Sequence, residues 1–203
     1  LDANKVTDLI LTHFHPDHIA GAPSLLMQSW LMGRRTPLHI HCLGHVLERL
    51  VKLLEFYDWT EWPNMYSVEF HEIPEQEKTL LIEDADLQVY ASPVCHMIPN
   101  IGLRIESLET GTALAYSCDT EPCESVVRLA DRATYLIHES TGALHGHTSA
   151  GQAGEIARQA QVKLLYLVHY NPRLPNPEEL VEQARQTFSG PVILAQDFMR
   201  IAF

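Results

Sequence analysis

Apolar and polar positions along the chain sort into short runs that alternate between two periods. Val6–Thr12 is an apolar run that stops at a histidine and reads as a buried strand, and Leu38–Cys42 reads the same way. Between them, Ile19–Trp30 is predicted as a helix beginning beside His18. Val46, Leu47, Leu50, Leu53 and Leu54 recur at helical spacing and predict a helix over Val46–Phe56. Strands are then predicted over Tyr66–Ile73, Leu80–Ile82, Leu87–Ala91, Ile101–Ile105 and Ala113–Ser117, with a hairpin signal at Glu109-Thr110-Gly111. A second regime follows: helix Ser125–Ala130, strand Tyr135–His138, helix Ala150–Gln161, strand Leu164–Val168, helix Pro177–Phe188 and strand Pro191–Ala195. Strands dominating first, then strand–helix alternation, predict an α/β protein with a sheet-on-sheet core and helices outside. No repeat or linker divides the sequence, so residues 1–203 are expected to form one domain.

Composition narrows the function classes. No apolar run reaches the length of a membrane span, and no basic segment opens a signal peptide, so a cytoplasmic protein is expected. The four cysteines show neither CxxC nor zinc-finger spacing and read as reduced thiols. A formal net charge of −12 argues against a protein that grips long nucleic acid by its overall field. It leaves a phosphate substrate open, because bound divalent cations make a cleft locally positive.

The chemistry concentrates in His13-Phe14-His15-Pro16-Asp17-His18, where four of six residues can bind a metal. In extended chain, side chains at i, i+2 and i+4 share a face, so His13, His15 and Asp17 are expected to point one way while His18 turns aside as the helix starts. Three further candidates sit at or just beyond strand ends: His96, Asp119 and His169. Alone, His96 would read as a core or capping histidine, and Asp119 as a turn residue before Thr120. Their shared placement makes them candidates together. Seven nitrogen and oxygen donors without a thiolate suit two divalent ions, zinc first, then manganese or iron.

With these residues the chain resembles the metallo-β-lactamase superfamily, whose signature is the His-x-His-x-Asp-His loop. The resemblance implies an αββα four-layer fold. It also implies one zinc on His13, His15 and His96, a second on Asp17, His18 and His169, and Asp119 between them. A narrower resemblance, to the ribonuclease Z group, rests on His138-Glu139-Ser140-Thr141, Gly146-His147-Thr148-Ser149, His169-Tyr170-Asn171-Pro172-Arg173 and Gly102-Leu103-Arg104. Three departures stand out. The signature starts at residue 13, where the family has several strands ahead of it, so the family's N-terminal strands are expected to be missing from this chain. The interval from His96 to Asp119 leaves no room for the long arm of tRNA-maturing members. Cys118 and Asn171 stand where that family usually has Gly and Ser.

The reaction expected from these features is hydrolysis of a phosphodiester, in RNA or a small molecule, by a hydroxide generated between two zinc ions. Asp17 is the candidate proton acceptor. His147, oriented by Glu139, is the candidate general acid, since a carboxylate beside an imidazole fixes its tautomer. Arg173 and Arg104 are candidate phosphate contacts. Arg34-Arg35 reads as a solvated turn, and His39 and His41, alternating on a strand, read as structural. Two other functions compete: hydrolysis of a lactone, thioester or β-lactam carbonyl, which needs the metals but not Glu139 and His147, and a non-catalytic zinc-binding domain. Homodimerisation is left open, and no membrane partner is expected.

Overall fold

The computed structural model describes residues 2–202, in two compact units, one up to Pro74 and one from Glu75 onward. The first unit carries a parallel sheet in the order β1 (Asp8–Leu11), β2 (Leu38–Leu43), β3 (Val68–Ile73). Its helices are α1 (Pro16–Ile19), α2 (Gly21–Leu31) and α3 (Gly44–Glu55). In β2, Leu38, Ile40 and Cys42 are buried and alternate with His39 and His41. Helix α3 offers Val46, Leu50 and Leu54, spaced four apart and fully buried, and packs on β2 and β3.

Two expectations fail here for identifiable reasons. The predicted helix over Ile19–Trp30 is two pieces, and it starts earlier, because Pro16 opens α1 where its missing N–H costs nothing. Arg34 is not a solvated turn residue. It is 1% exposed, its guanidinium donates to the carbonyls of Thr36 and Pro37, and it lies over the Tyr66 ring at 5.0 Å. Burying the arginine satisfies carbonyls that the turn would otherwise leave without donors.

The second unit is built on a seven-stranded sheet in the order β10-β9-β8-β7-β6-β5-β4. The strands are β4 (Thr79–Glu83), β5 (Leu87–Val94), β6 (Asn100–Ser107), β7 (Ala113–Tyr116), β8 (Tyr135–Glu139), β9 (Leu164–Val168) and β10 (Val192–Leu194). Strands β4 to β7 are antiparallel, joined by short turns; β7 to β10 are parallel, because each crossover runs through a helix. The crossover helices are α4 (Glu124–Leu129), α5 (Ala150–Gln159) and α6 (Glu179–Arg185). Leu136, Leu165 and Leu167 from the parallel strands pack with Ile156, Val181 and Phe188 in one core. Helix α5 is fixed at its start by a capping box, Ser149 and Gln152 exchanging backbone and side-chain hydrogen bonds. It lies so close to α6 that a Cβ on Gly154 would meet the Ala184 carbonyl at 2.4 Å.

The strand predicted over Leu87–Ala91 is longer, running on through Ser92 and Pro93. Strand β5 runs on to Val94, pairing only with β6, since β4 ends opposite Ala91. Pro93 sits where the strand has an open side, the place in a sheet that tolerates a missing donor. This topology puts four chain ends on one edge of the unit. His96 follows β5, Asp119 follows β7, Glu139 closes β8 and His169 follows β9.

Candidate metal centre

In the first unit the histidines of the signature loop cluster tightly. His13 is fully buried, with Nδ1 3.2 Å from Thr12 Oγ1 and Nε2 3.0 Å from Nδ1 of His15. Pro16 turns the chain into α1, which brings the His18 ring to 4.1 Å from that of His13. The alternation argument holds for His13 and His15, where the chain is extended. It does not hold for Asp17, which lies in the first turn of α1, largely exposed, with Oδ2 3.5 Å from Nε2 of His18. Asp17 and His18 are therefore neighbours on one helical turn, not members of opposite faces.

In the second unit the site grows from the strand ends. Asp119 is buried, held in place through its own carbonyl, which accepts from Asn100 Nδ2 at 2.8 Å. Its Oδ1 lies 3.6 Å from Nδ1 of His169. That same nitrogen is 2.8 Å from Thr141 Oγ1. His96 donates from Nδ1 to the Gly146 carbonyl at 2.7 Å. Glu139 is 1% exposed yet well supplied with donors: the Thr120 amide at 2.8 Å and His147 Nδ1 at 2.9 Å reach Oε1, and the Thr141 amide at 3.2 Å reaches Oε2. His147 lies between its neighbours, 5.2 Å from the His96 ring and stacked on His169 at 5.8 Å. Glu139, His147 and His169 each offer a donor atom to one small volume.

Backbone strain collects at the same edge. Cys118 and His169, the residues before and after the two strand-end turns, have φ of 53° and 51°. Non-glycine residues in this region cost about 1–3 kcal/mol where the surroundings enforce it. Cys118 occupies the position where the resembled family has Gly, and its φ is one that glycine adopts without cost.

Gly146, quoted above only as part of a motif, is a support for the His96 ring. Its φ is 80°, its carbonyl fixes His96, and its amide donates to Glu121 Oε1 at 2.7 Å. A Cβ there would meet Met97 Cγ at 2.8 Å and His96 Nδ1 at 3.1 Å. Gly146→Ala is expected to turn the His96 ring and lower zinc affinity about 10–100-fold, the range for lost support of a ligand. Competition against a chelator measures it, and unchanged affinity would show that His96 needs no support. The supports from Thr141, Thr120, Asn100 and Glu121 are hidden for the same reason: each works through hydrogen bonds to residues distant along the chain.

His138 is fully buried, donates from Nδ1 to the Glu139 carbonyl, and has an Nε2 with no hydrogen-bond partner among the described residues. Burial pushes its pKa below the ordinary histidine value. The unfolded chain therefore binds this proton more readily, and stability contributed here is lost as pH falls below about 6.5. Unfolding free energies from urea titrations at about pH 5 and pH 7 should differ less in His138→Leu than in the wild type, by up to about 1.4 kcal/mol per pH unit. Equal differences would mean that His138 titrates normally.

The arginines divide. Arg104, a candidate phosphate contact, has most of its donors engaged within the fold. Its Nε is paired with Glu106 at 2.6 Å, and Nη1 donates to the carbonyls of Leu129 and Asp131 at 2.9 and 3.0 Å. It also sits four residues along β6 from Asn100, about 13 Å from the edge that carries Asp119. Arg173 is exposed in the turn after His169, with its amide on Asn171 Oδ1 at 3.0 Å. His145, close in sequence to His147, is exposed and paired with Glu121 at 3.0 Å.

The donor chemistry fits divalent metal: five imidazoles and two carboxylates, with no thiolate. Three of those imidazoles have one nitrogen engaged by Thr12, Gly146 or Thr141, which is how ligating histidines are oriented. Comparison with known proteins agrees on the class. Residues 1–170 match the beta-lactamase superfamily domain, and the chain belongs to that family. Among characterised relatives it is similar to ribonuclease Z of Methanothermobacter thermautotrophicus, 29% identical across 97% of this chain and 80% of that protein. It is equally similar to ribonuclease Z of Thermobifida fusca, 29% identical across 100% of this chain and 80% of that one. The first of these alignments spans 254 positions, more than the 203 residues here, so that relative carries stretches with no counterpart in this chain.

Solved structures establish the metallo-β-lactamase fold. The fold protein YhfI of Bacillus subtilis superposes with a TM-score of 0.79 at 23% identity, covering 97% of this chain and 77% of that one. Human tRNase Z, short form, gives 0.78 at 24% identity, covering 100% and 81%. The expected fold class is thus borne out. Family and fold imply use of a divalent metal. Among the described residues, no helix is long and apolar enough to cross a membrane.

Proposed function

We propose that this chain is a phosphodiesterase of the ribonuclease Z type that works with two divalent cations, zinc in the first instance. His13, His15 and His96 would hold one, Asp17, His18 and His169 the other, and Asp119 both. This assignment rests on the order of the motifs in the sequence and on family membership. Paired divalent cations supply a lowered pKa for solvent water and neutralise charge developing on phosphoryl oxygens.

The rest is work for the chain's own residues. Asp17, exposed at the start of α1, accepts the proton of the attacking water. Glu139 accepts Nδ1–H of His147, which sets the ring so that Nε2 can hand a proton to the leaving oxygen. Glu139 is itself immobilised by the Thr120 and Thr141 amides, so the imidazole is held without reorganisation. Arg173, exposed on the turn after His169, would meet a phosphate oxygen of the substrate with its planar fork.

The observation that carries this reading is the pairing of buried Glu139 with partly buried His147, whose ring stacks on that of His169. An imidazole held by a carboxylate can protonate the alkoxide that departs from phosphorus, the step in phosphodiester hydrolysis that calls for a proton. The test sets bis(p-nitrophenyl) phosphate, a nitrophenyl ester and a 3′-extended tRNA side by side with zinc-loaded protein. Turnover of the phosphodiesters and not of the ester supports the proposal. Turnover of the ester alone overturns it in favour of a carbonyl hydrolase, and zinc binding with no turnover overturns it in favour of a binding domain.

A further inference from the structure

A second cluster of metal-binding side chains lies on the three-stranded sheet of the first unit, away from the signature loop. The sheet register sets Asp8 opposite His39, His39 opposite Glu69, and His41 opposite His71. Register and the two-residue period put all five side chains on one face of the sheet. His39 Nδ1 lies 3.0 Å from His71 Nε2 and 3.5 Å from Glu69 Oε2.

One atom, His39 Nδ1, therefore faces both an imidazole nitrogen and a carboxylate oxygen. A single proton on it can serve one of them. A cation serves all three. The two measured spacings also bracket the edge of a tetrahedron with zinc–ligand bonds of 2.0–2.1 Å, which is about 3.3 Å. Behind the donors stands a support. His41 stacks on His71, with rings 4.8 Å apart and 19° from parallel, and its own Nε2 is bonded to Asp8 at 2.8 Å. Residues that orient a ligating ring in this way are a normal part of a metal site. A surface histidine pair needs no such buttress.

We propose that His39, Glu69 and His71 form a further divalent transition-metal site, separate from the seven signature residues. Two imidazoles and one carboxylate favour zinc, nickel or copper over magnesium or calcium. Three protein donors leave one position for water. Because the donors come from β2 and β3, a bound ion would clamp the two strands together. The site does not depend on the proposed phosphodiesterase activity.

Equilibrium dialysis against zinc, followed by metal analysis, tests it on the wild type, His39→Ala, His71→Ala and Glu69→Gln. Both histidine variants are expected to bind one equivalent of zinc fewer than the wild type. Glu69→Gln is expected to weaken that equivalent at least about tenfold, as loss of a ligand should exceed the smallest effect of losing a support. Circular dichroism checks the fold. Should a histidine variant fail to fold, near-isosteric Glu69→Gln alone decides, through competition with a chelator. Equal zinc content and equal affinity in Glu69→Gln and wild type would overturn the proposal.

Discussion

Asp119→Ala is expected to lose phosphodiester hydrolysis almost completely, by well over the roughly 100-fold that a supporting residue is worth. The side chain is 3% exposed, and its Oδ1 stands 3.6 Å from Nδ1 of His169. Removing it takes a charge out of a place where solvent cannot substitute for it, and the imidazoles then face the cations with less compensation. Zinc content should fall with the rate. The variant is informative because the turn that carries Asp119 is fixed by other bonds: Asn100 on its carbonyl, and Thr120 joined to Glu139 and the Cys95 amide. The fold should survive, and circular dichroism will show whether it does. A variant that retained its zinc and a rate within tenfold of the wild type would remove Asp119 from the site.

His147→Ala should separate substrates by their leaving groups. A group that donates a proton to the departing oxygen typically contributes about 10²–10⁴ in rate. On an RNA substrate, where the leaving oxygen is an alkoxide, His147→Ala should cost that much. On bis(p-nitrophenyl) phosphate, whose nitrophenolate leaves unprotonated, the loss should be small. Glu139→Gln should follow the same pattern more weakly, since it leaves the imidazole in place but alters the partner of its Nδ1. Equal losses on both substrates would mean that His147 holds the structure together rather than moving a proton.

Much of the architecture could be read before any coordinate was seen, because its periods are strong. Leu164–Val168 is continuously apolar and is an interior parallel strand; Val46, Leu50 and Leu54 recur at helical spacing and are the buried stripe of α3. The strand ends that carry Asp119 and His169 were legible for the same reason, since each apolar run stops just ahead of them, whereas the run before His96 breaks off at Ala91, short of the end of β5. What misled was local geometry. Asp17 was read as extended chain, but Pro16 starts a helix one residue earlier. Arg34 and Arg104 carry no sequence mark of burial or of spent donors; their carbonyl and carboxylate partners are set by the folded turn and by the strand pairing.

The least legible features are those made by pairing distant segments. The carbonyl of Gly146 meets His96 across fifty positions of chain, and Thr141 meets His169 across twenty-eight. His39 and His71 are adjacent only because β2 and β3 pair in one register, and a shift by a single residue would put them on opposite faces. Periodicity gives faces and ends. Register decides which of them touch.

The central claim is that two divalent ions gather on His13, His15, Asp17, His18, His96, Asp119 and His169. Anomalous scattering at the zinc edge, from crystals grown with excess zinc, tests it most directly. The account predicts two peaks, held between them by these seven residues. A single peak, or peaks held by other residues, would contradict it.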